Sequence, residues 1–172
     1  MKKIFEELTT LNNEFDHSQL EDILKLFINP KVKNYVGFGA GRMGYSLRSF
    51  MMRLDHLGFR SFMIGDTNFP RIDPNTVAFI NSSSGETQTN VLYARQAIKH
   101  GAKTVLLTSQ ANSTLANICD YKILYPSIQS SQLMKSIYEQ FTFILFDFIC
   151  ESIVTRQNLN IEFIENNHSI SE

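Results

Sequence analysis

The side chains best suited to chemistry occur in one run of hydroxyl groups and glycine, Asn81-Ser82-Ser83-Ser84-Gly85-Glu86-Thr87. An apolar run at residues 77–80 precedes it, and a run with helical periodicity begins near Thr89. A buried strand, a tight turn and a helix start form an anion site, because free N–H groups and the positive end of the helix dipole point at the ligand. Hydroxyl groups add donors to phosphate oxygens. The same residues also suit an ordinary N-cap after a buried strand, so this run alone leaves both interpretations open.

A second loop, Gly39-Ala40-Gly41-Arg42-Met43-Gly44, follows the first predicted strand. Its glycine spacing also occurs in dinucleotide-binding folds, which use an acidic residue about 20 positions later to bind the ribose. Asp66 lies just beyond the second predicted strand, so NAD binding stays open as an alternative. Ligands of open α/β sheets bind outside the carboxyl ends of the strands. A dinucleotide site needs only one phosphate-binding loop. Two such loops around one pocket therefore suit a compact phosphorylated ligand better.

The composition of the chain limits the classes of partner. The 172 residues are 43% hydrophobic and 19% charged, which is typical of one soluble globular domain. A formal net charge of −1 gives no overall attraction for nucleic acid or anionic lipid. No apolar segment is long enough to span a bilayer, and the N-terminus does not resemble a signal peptide. Cys119 and Cys150 lie far apart without a CxxC motif, so we expect a reducing, cytoplasmic location and no metal site.

Hydrophobic periodicity predicts helices that alternate with short apolar strands. The predicted helices are residues 1–28 with a break near Ser18, then 45–57, 89–100, 115–118, and 131 to about 157. The predicted strands are residues 34–38, 59–64, 76–80, 103–108 and 121–124.

This alternation is typical of an α/β fold, in which a doubly wound five-stranded parallel sheet is flanked by helices on both faces. We expect residues 1–172 to form a single domain. Residues 1–30 would be an N-terminal helical segment, and residues 158–172 a polar, disordered tail.

Several segments recur in the same order and at similar spacing in a known family. They are Gly39-Ala40-Gly41-Arg42, Met52-Arg53-Leu54-Asp55-His56-Leu57-Gly58-Phe59, Ser82-Ser83-Ser84-Gly85-Glu86-Thr87, Gly101-Ala102-Lys103-Thr104-Val105, Leu107-Thr108-Ser109, Ser113-Thr114-Leu115-Ala116 and Ile137-Tyr138-Glu139-Gln140. Over nearly its whole length the chain resembles a SIS (sugar isomerase) domain, and within that group the 6-phospho-3-hexuloisomerases. The serine segment marks the family, and the segment that contains His56 favours the hexuloisomerase branch.

The resemblance implies a flavodoxin-like three-layer sandwich and a phosphosugar isomerase that needs no metal or other cofactor. The family interconverts arabino-3-hexulose 6-phosphate and fructose 6-phosphate through an enediolate, which requires a base. Glu139 matches the family glutamate and is assigned that role. It precedes an apolar stretch, where an unpaired carboxylate would be costly. His56 matches a family histidine that would move protons on sugar oxygens or open a ring, from its own or a neighbouring subunit.

The remaining candidate site residues would bind the phosphate or the sugar. They are Gly41, Arg42, Ser82, Ser84, Gly85, Glu86, Thr87 and Ser136. Arg42 could hold an oxyanion with its fork of donors, or could be a surface arginine that pairs with a neighbouring subunit. His56 could equally be a helix-end histidine that is favoured by the dipole.

The chain departs from the family pattern at Met43, at Ser83 and in the stretch Leu133-Met134-Lys135-Ser136, where the family has Pro-Met-Gly-Thr. Met43 replaces a serine, and a thioether cannot donate to a sugar hydroxyl. Ser83 replaces a glycine, and would be strained if that position needs a positive φ. Lys135 replaces a glycine that could line the pocket. These changes affect the predicted substrate more than the predicted reaction.

A phosphosugar-binding regulatory module without turnover is therefore an alternative, since SIS domains also occur in regulators. A basic helix-turn-helix is absent, which argues against DNA binding. The final helix is apolar almost all round, so we expect a homo-oligomer, either a dimer or a tetramer, that buries part of residues 141–154. The expected partners are thus a phosphorylated sugar and other copies of the chain, with no nucleic acid and no membrane.

Overall fold

The computed structural model describes residues 1–168, and within them five parallel strands form one sheet with the order β2-β1-β3-β4-β5. The strands are β1 (Asn34–Gly39), β2 (Ser61–Met63), β3 (Thr76–Asn81), β4 (Lys103–Thr108) and β5 (Tyr121–Leu124). The helices are α1 (Lys2–Glu14), α2 (Leu20–Phe27), α3 (Gly41–His56), α4 (Gln88–Lys99), α5 (Thr114–Ile118), α6 (Ile137–Gln157) and α7 (Ile161–Asn166). The predicted doubly wound α/β fold is confirmed.

Alternating side chains of the strands form two apolar layers, one on each face of the sheet. On one face Tyr35, Phe79 and Leu107 pack with α1, α2, α3 and α6. On the other face Val36 and Ile80 pack with α4 and α5. Because both faces are covered, the strands are continuous apolar runs, as parallel sheets require.

The strands that follow β1 in the sequence are added on opposite sides of it, so the strand order changes direction at β1. After β1 the chain adds β2 on one side, and β3 then pairs with the other side of β1, with Gly39 opposite Asn81. The loops after β1 and β3 therefore begin at adjacent positions on the same edge of the sheet. This is the edge at which open α/β sheets bind ligands.

Two predicted elements were too long. Strand β2 covers Ser61–Met63 rather than residues 59–64. The final helix begins at Ile137 rather than at residue 131, after a 3-10 turn at Leu133–Lys135. Met134 and Lys135 have φ values of 52° and 57°, which an α-helix cannot contain. Leu, Met and Lys are good helix formers, so their sequence conceals this break.

The predicted disordered tail instead contains helix α7. Asn160 accepts a hydrogen bond from the Glu162 N–H (2.9 Å) and caps this helix. Phe163 packs over Gly58, and Ile164 packs against the core beside α3 and α6. The part of the prediction that concerns residues 169–172 lies outside the described residues. No helix within residues 1–168 is long and apolar enough to cross a bilayer.

Candidate active site at the ends of strands β1 and β3

The first loop turns tightly from β1 into α3. A Cβ at Gly44 would lie 2.5 Å from the carbonyl oxygen of Gly39, so only glycine permits this approach. Gly41 has a φ of +55° and begins the helix. The helix therefore starts at the sheet edge, four residues earlier than its hydrophobic period predicts.

The second loop, residues 82–87, is called the serine loop below. Gly85 has a φ of +65°, and a Cβ there would lie 2.0 Å from Ser113 Oγ. The Ser83 carbonyl accepts hydrogen bonds from the Ser109 N–H (3.2 Å) and from Thr108 Oγ1 (3.0 Å). These contacts fix the loop against the end of β4. Ser83 does not have a positive φ, so its replacement of glycine introduces no backbone strain.

A cavity of about 590 Å³ lies between the two loops and the start of α6. The described residues that line it are Ala40, Met43, Asn81, Ser82, Ser83, Ser84, Thr87, Asn90, Ser109, Gln110, Met134, Lys135, Tyr138 and Glu139. Hydroxyl and amide groups therefore cover the sheet side of the cavity, and a carboxylate lies at its α6 side.

Glu139 is held by the first loop. Arg42 Nε donates a hydrogen bond to Glu139 Oε2, and the two side chains form an ion pair. The Glu139 side chain is 17% exposed and the Arg42 side chain 67%. A charge-assisted bond of this kind fixes the orientation of the carboxylate. The pair also lines a second, more apolar cavity between α1, α3 and α6, so it separates the two cavities.

Asn81 links the elements that surround the cavity. Its fully buried amide donates to the Met43 carbonyl (3.0 Å), to Ser46 Oγ (2.9 Å) and to Thr142 Oγ1 (3.3 Å). Within residues 1–168 no protein group donates to the buried Asn81 Oδ1. Asn81 thus joins the end of β3 to α3 and α6.

The structure brings several predicted site residues together at the cavity. Ser82, Ser84, Thr87 and Glu139 line it, and Arg42 reaches it through the ion pair with Glu139.

Other predicted site residues support the loops. Ser136 Oγ donates to the Leu133 carbonyl (2.8 Å). Glu86 accepts from the Thr114 N–H (2.7 Å), which lowers the pKa of its carboxyl and ties the serine loop to α5. Gly41 and Gly85 shape the two turns.

His56 lies at the other end of α3. A helix of 16 residues is about 24 Å long, so His56 is remote from the cavity of its own chain. It is 7% exposed, its carbonyl accepts from Asn167 Nδ2 (3.1 Å), and its ring lies 4.8 Å from that of His168.

Sequence reasoning missed some of the lining residues. Asn81 belongs to the run that the sequence analysis singled out but was not among the candidate site residues. Ser109 lies just after the end of β4, so the rule that selected the serine loop could have selected it as well. Asn90 and Tyr138 gave no such signal, because each reaches the cavity from within a helix. No cluster of three or more His, Cys, Asp or Glu side chains suited to a metal occurs in the described part of the chain.

The comparisons with known proteins agree with this architecture. The SIS domain family model matches residues 31–149. The 3-hexulose-6-phosphate isomerase of Mycobacterium gastri is 31% identical over 139 residues, which cover 76% of this chain and 70% of that protein. The isomerase of the same name from Methanocaldococcus jannaschii is 30% identical over 139 residues, which cover 80% of this chain and 77% of that protein.

A solved structure extends the match to the whole fold. The crystal structure of a hypothetical protein from Methanococcus jannaschii, for which a 3-hexulose-6-phosphate isomerase function was inferred, superposes with a TM-score of 0.87. The identity is 25%, and the match covers 98% of this chain and 96% of that one. On the family match and these relatives, the chain belongs to the SIS domain family.

Proposed function

We propose that this chain is a phosphosugar isomerase that interconverts arabino-3-hexulose 6-phosphate and fructose 6-phosphate. The observation that carries the proposal is that Glu139 and the serine loop line one small cavity. A ligand whose phosphoryl group lies on the serine loop would have its carbon chain near the carboxylate. The names of the two curated relatives support the same substrate.

In this proposal Glu139 is the base that moves a carbon-bound proton. It removes the proton from C2 of the 3-hexulose, the C2–H electron pair forms the C2=C3 bond, and the C3 carbonyl oxygen becomes the enediolate oxyanion. The proton then returns to C3, while the hydroxyl proton on O2 passes to O3 and leaves a carbonyl at C2. Arg42 orients the carboxylate through the ion pair.

The serine loop would hold the phosphoryl group. Ser82, Ser84 and Thr87 supply hydroxyl donors, and Thr87 is the N-cap of α4, whose first N–H groups face the same anion.

His56 would act from a neighbouring chain. We propose a homo-oligomer because α3 and α6 expose a shared apolar surface, formed by Tyr45 (73% exposed), Phe143 (45%) and Ile144 (54%). Since His56 lies far from its own cavity, any role in proton transfer requires the cavity of another copy.

Substitution of Glu139 by glutamine tests the proposal. Glu139→Gln keeps the size of the side chain and removes the base, so we expect turnover to fall by roughly 10²–10⁴-fold. Thermal stabilisation by fructose 6-phosphate should persist, because the serine loop is intact. Glu151→Gln, on the same helix but outside the cavity, is the matched control and should retain full turnover. Equal turnover in wild type and Glu139→Gln would contradict the proposal.

A regulatory module that binds phosphosugars without turnover is the second candidate. Met43 and Lys135 line the cavity, and neither is a residue that the hexuloisomerase pattern contains. Thermal stabilisation by phosphosugars together with no interconversion of any of them would favour this function.

A further inference from the structure

The turn between β5 and α6 has an unusual backbone where it meets the cavity. Met134 and Lys135 are consecutive non-glycine residues in the left-handed region, with φ values of 52° and 57°. The other described non-glycine residue with positive φ, Asn158, is the C-cap of α6, where this conformation is common. Backbone outliers of this kind persist only when surrounding contacts impose them, and they concentrate at functional sites.

A carboxylate from α1 holds the segment just before these two residues, from outside the cavity. Glu7 accepts hydrogen bonds from Ser130 Oγ (2.7 Å), the Ser131 N–H (2.9 Å), Ser131 Oγ (2.8 Å) and Gln132 Nε2 (3.0 Å). Glu7 is not among the cavity-lining residues. The turn then closes through the Lys135 N–H, which donates to the Gln132 carbonyl (3.2 Å). The backbone of Lys135 is thus tied directly to the segment that Glu7 holds.

Lys135 differs in charge from the other described residues that line the cavity. Among the described residues that line it, Lys135 carries the only positive charge, and Glu139 carries the only negative one. Glu139 is already paired with Arg42, whereas no ion pair of Lys135 occurs within residues 1–168. The serine loop offers neutral donors. Lys135 is therefore the cation that a dianionic ligand meets in this cavity.

We propose that Lys135 is a ligand-binding cation whose ammonium group interacts with the phosphoryl group, and that Glu7 is its positioning residue. The inference rests on the proposed phosphosugar function and adds to it the group that makes binding depend on the charge of the phosphate. Lysine binds phosphate as a point charge, so its contribution requires that the turn present it on the correct side.

Calorimetric titration with fructose 6-phosphate tests the role of Lys135. We expect Lys135→Met to weaken binding by roughly 10–100-fold and Lys135→Arg to restore most of it. The second ionisation of a phosphate group has a pKa of about 6, so wild-type affinity should rise as the pH is raised through that value. The rise should be shallower in Lys135→Met, which a purely structural role of Lys135 would not produce. Lys103→Met, at the opposite end of β4, is the control.

A double-mutant cycle tests the role of Glu7. Glu7→Gln should weaken binding in the wild-type background and have little further effect in the Lys135→Met background, because it acts through Lys135. Glu6→Gln, the neighbouring carboxylate that pairs with Lys2, should leave binding unchanged. Equal effects of Glu7→Gln in both backgrounds would overturn the positioning role.

The outcomes separate this inference from the proposed function. If wild type binds fructose 6-phosphate and Lys135→Met binds it with the same affinity and the same pH dependence, the inference is wrong and the isomerase proposal stands. If wild type binds no phosphosugar, both are wrong.

Discussion

At the scale of single residues, the carboxylate of Glu139 and the guanidinium of Arg42 define the candidate chemistry. Arg42 was identified from its place in the glycine-rich loop, whereas Glu139 was assigned from the resemblance to the family, whose glutamate it matches. Their ion pair was not predictable, because 97 positions separate them and only the docking of α6 against α3 brings them together. Tyr138, one position from Glu139, was missed because nothing in the local sequence shows that its side chain lines the cavity.

Glu7 allows a prediction about pH at this scale. The N–H of Ser131 is the main cause that lowers the pKa of Glu7 to about 2, from an ordinary value of 4.5. Because the folded state lowers the pKa, the ionised carboxylate stabilises the fold fully above pH 4.5, and this contribution is lost as the pH falls towards 2. The free energy of unfolding of wild type should therefore exceed that of Glu7→Gln at neutral pH, and the difference should shrink in acid.

Urea denaturation at neutral pH and at about pH 2.5 measures this difference. Glu6→Gln serves as the control, since the Glu6 carboxylate lies 3.9 Å from the exposed Lys2 ammonium and surface pairs of this kind contribute little. A difference between wild type and Glu7→Gln that does not change with pH would contradict the contacts described for Glu7.

At the scale of elements, the hydrophobic periodicity of the sequence was sufficient to predict which strands and helices occur and in what order along the chain. Each strand is a continuous apolar run that is bounded by turn residues, so its existence is local information. The start of α6 is not local information. Residues 131–136 have helical sequence character, but the structure has a 3-10 turn there, and the Ser131 N–H donates to Glu7 on α1. The tail helix α7 was missed too, and its contact between Phe163 and Gly58 joins positions far apart in the sequence, which no local pattern shows.

The serine loop gives a prediction at the element scale. Gly85→Ala places a Cβ against Ser113 Oγ in a backbone of positive φ, so the loop must move. Gly65→Ala is the matched control, because Gly65 also has a positive φ (+94°) but a Cβ there meets no atom within 4 Å. We expect Gly65→Ala to lower the free energy of unfolding by about 1 kcal/mol and Gly85→Ala to lower it by more. Thermal stabilisation by fructose 6-phosphate should also be lost in Gly85→Ala alone.

Denaturation and thermal-shift measurements on the two variants check this prediction. Retention of ligand stabilisation by Gly85→Ala would mean that the serine loop does not hold the phosphoryl group.

At the scale of the whole molecule, the proposed homo-oligomer rests on the exposed apolar surface of α3 and α6 and on the role proposed for His56. If His56 serves the cavity of a neighbouring copy, Glu139→Gln and His56→Ala chains disable different components of a shared site. Each variant alone should be inactive or nearly so. After the two are mixed and allowed to exchange subunits, part of the turnover should return, because some cavities then combine an intact Glu139 with an intact His56.

Activity of the mixture in a turnover assay, compared with the sum of the separate variants, measures this complementation. Full activity of His56→Ala by itself would remove His56 from the mechanism and leave the Glu139 proposal unaffected.

We propose, above all, that Glu139 exchanges a carbon-bound proton of a sugar phosphate held in this cavity. The most direct measurement is nuclear magnetic resonance of fructose 6-phosphate incubated with the protein in deuterated water. We predict loss of the C3 proton signal with wild type and with Glu151→Gln, and none with Glu139→Gln. Retention of the C3 proton with wild type, under conditions in which the sugar phosphate binds, would contradict the role proposed for Glu139.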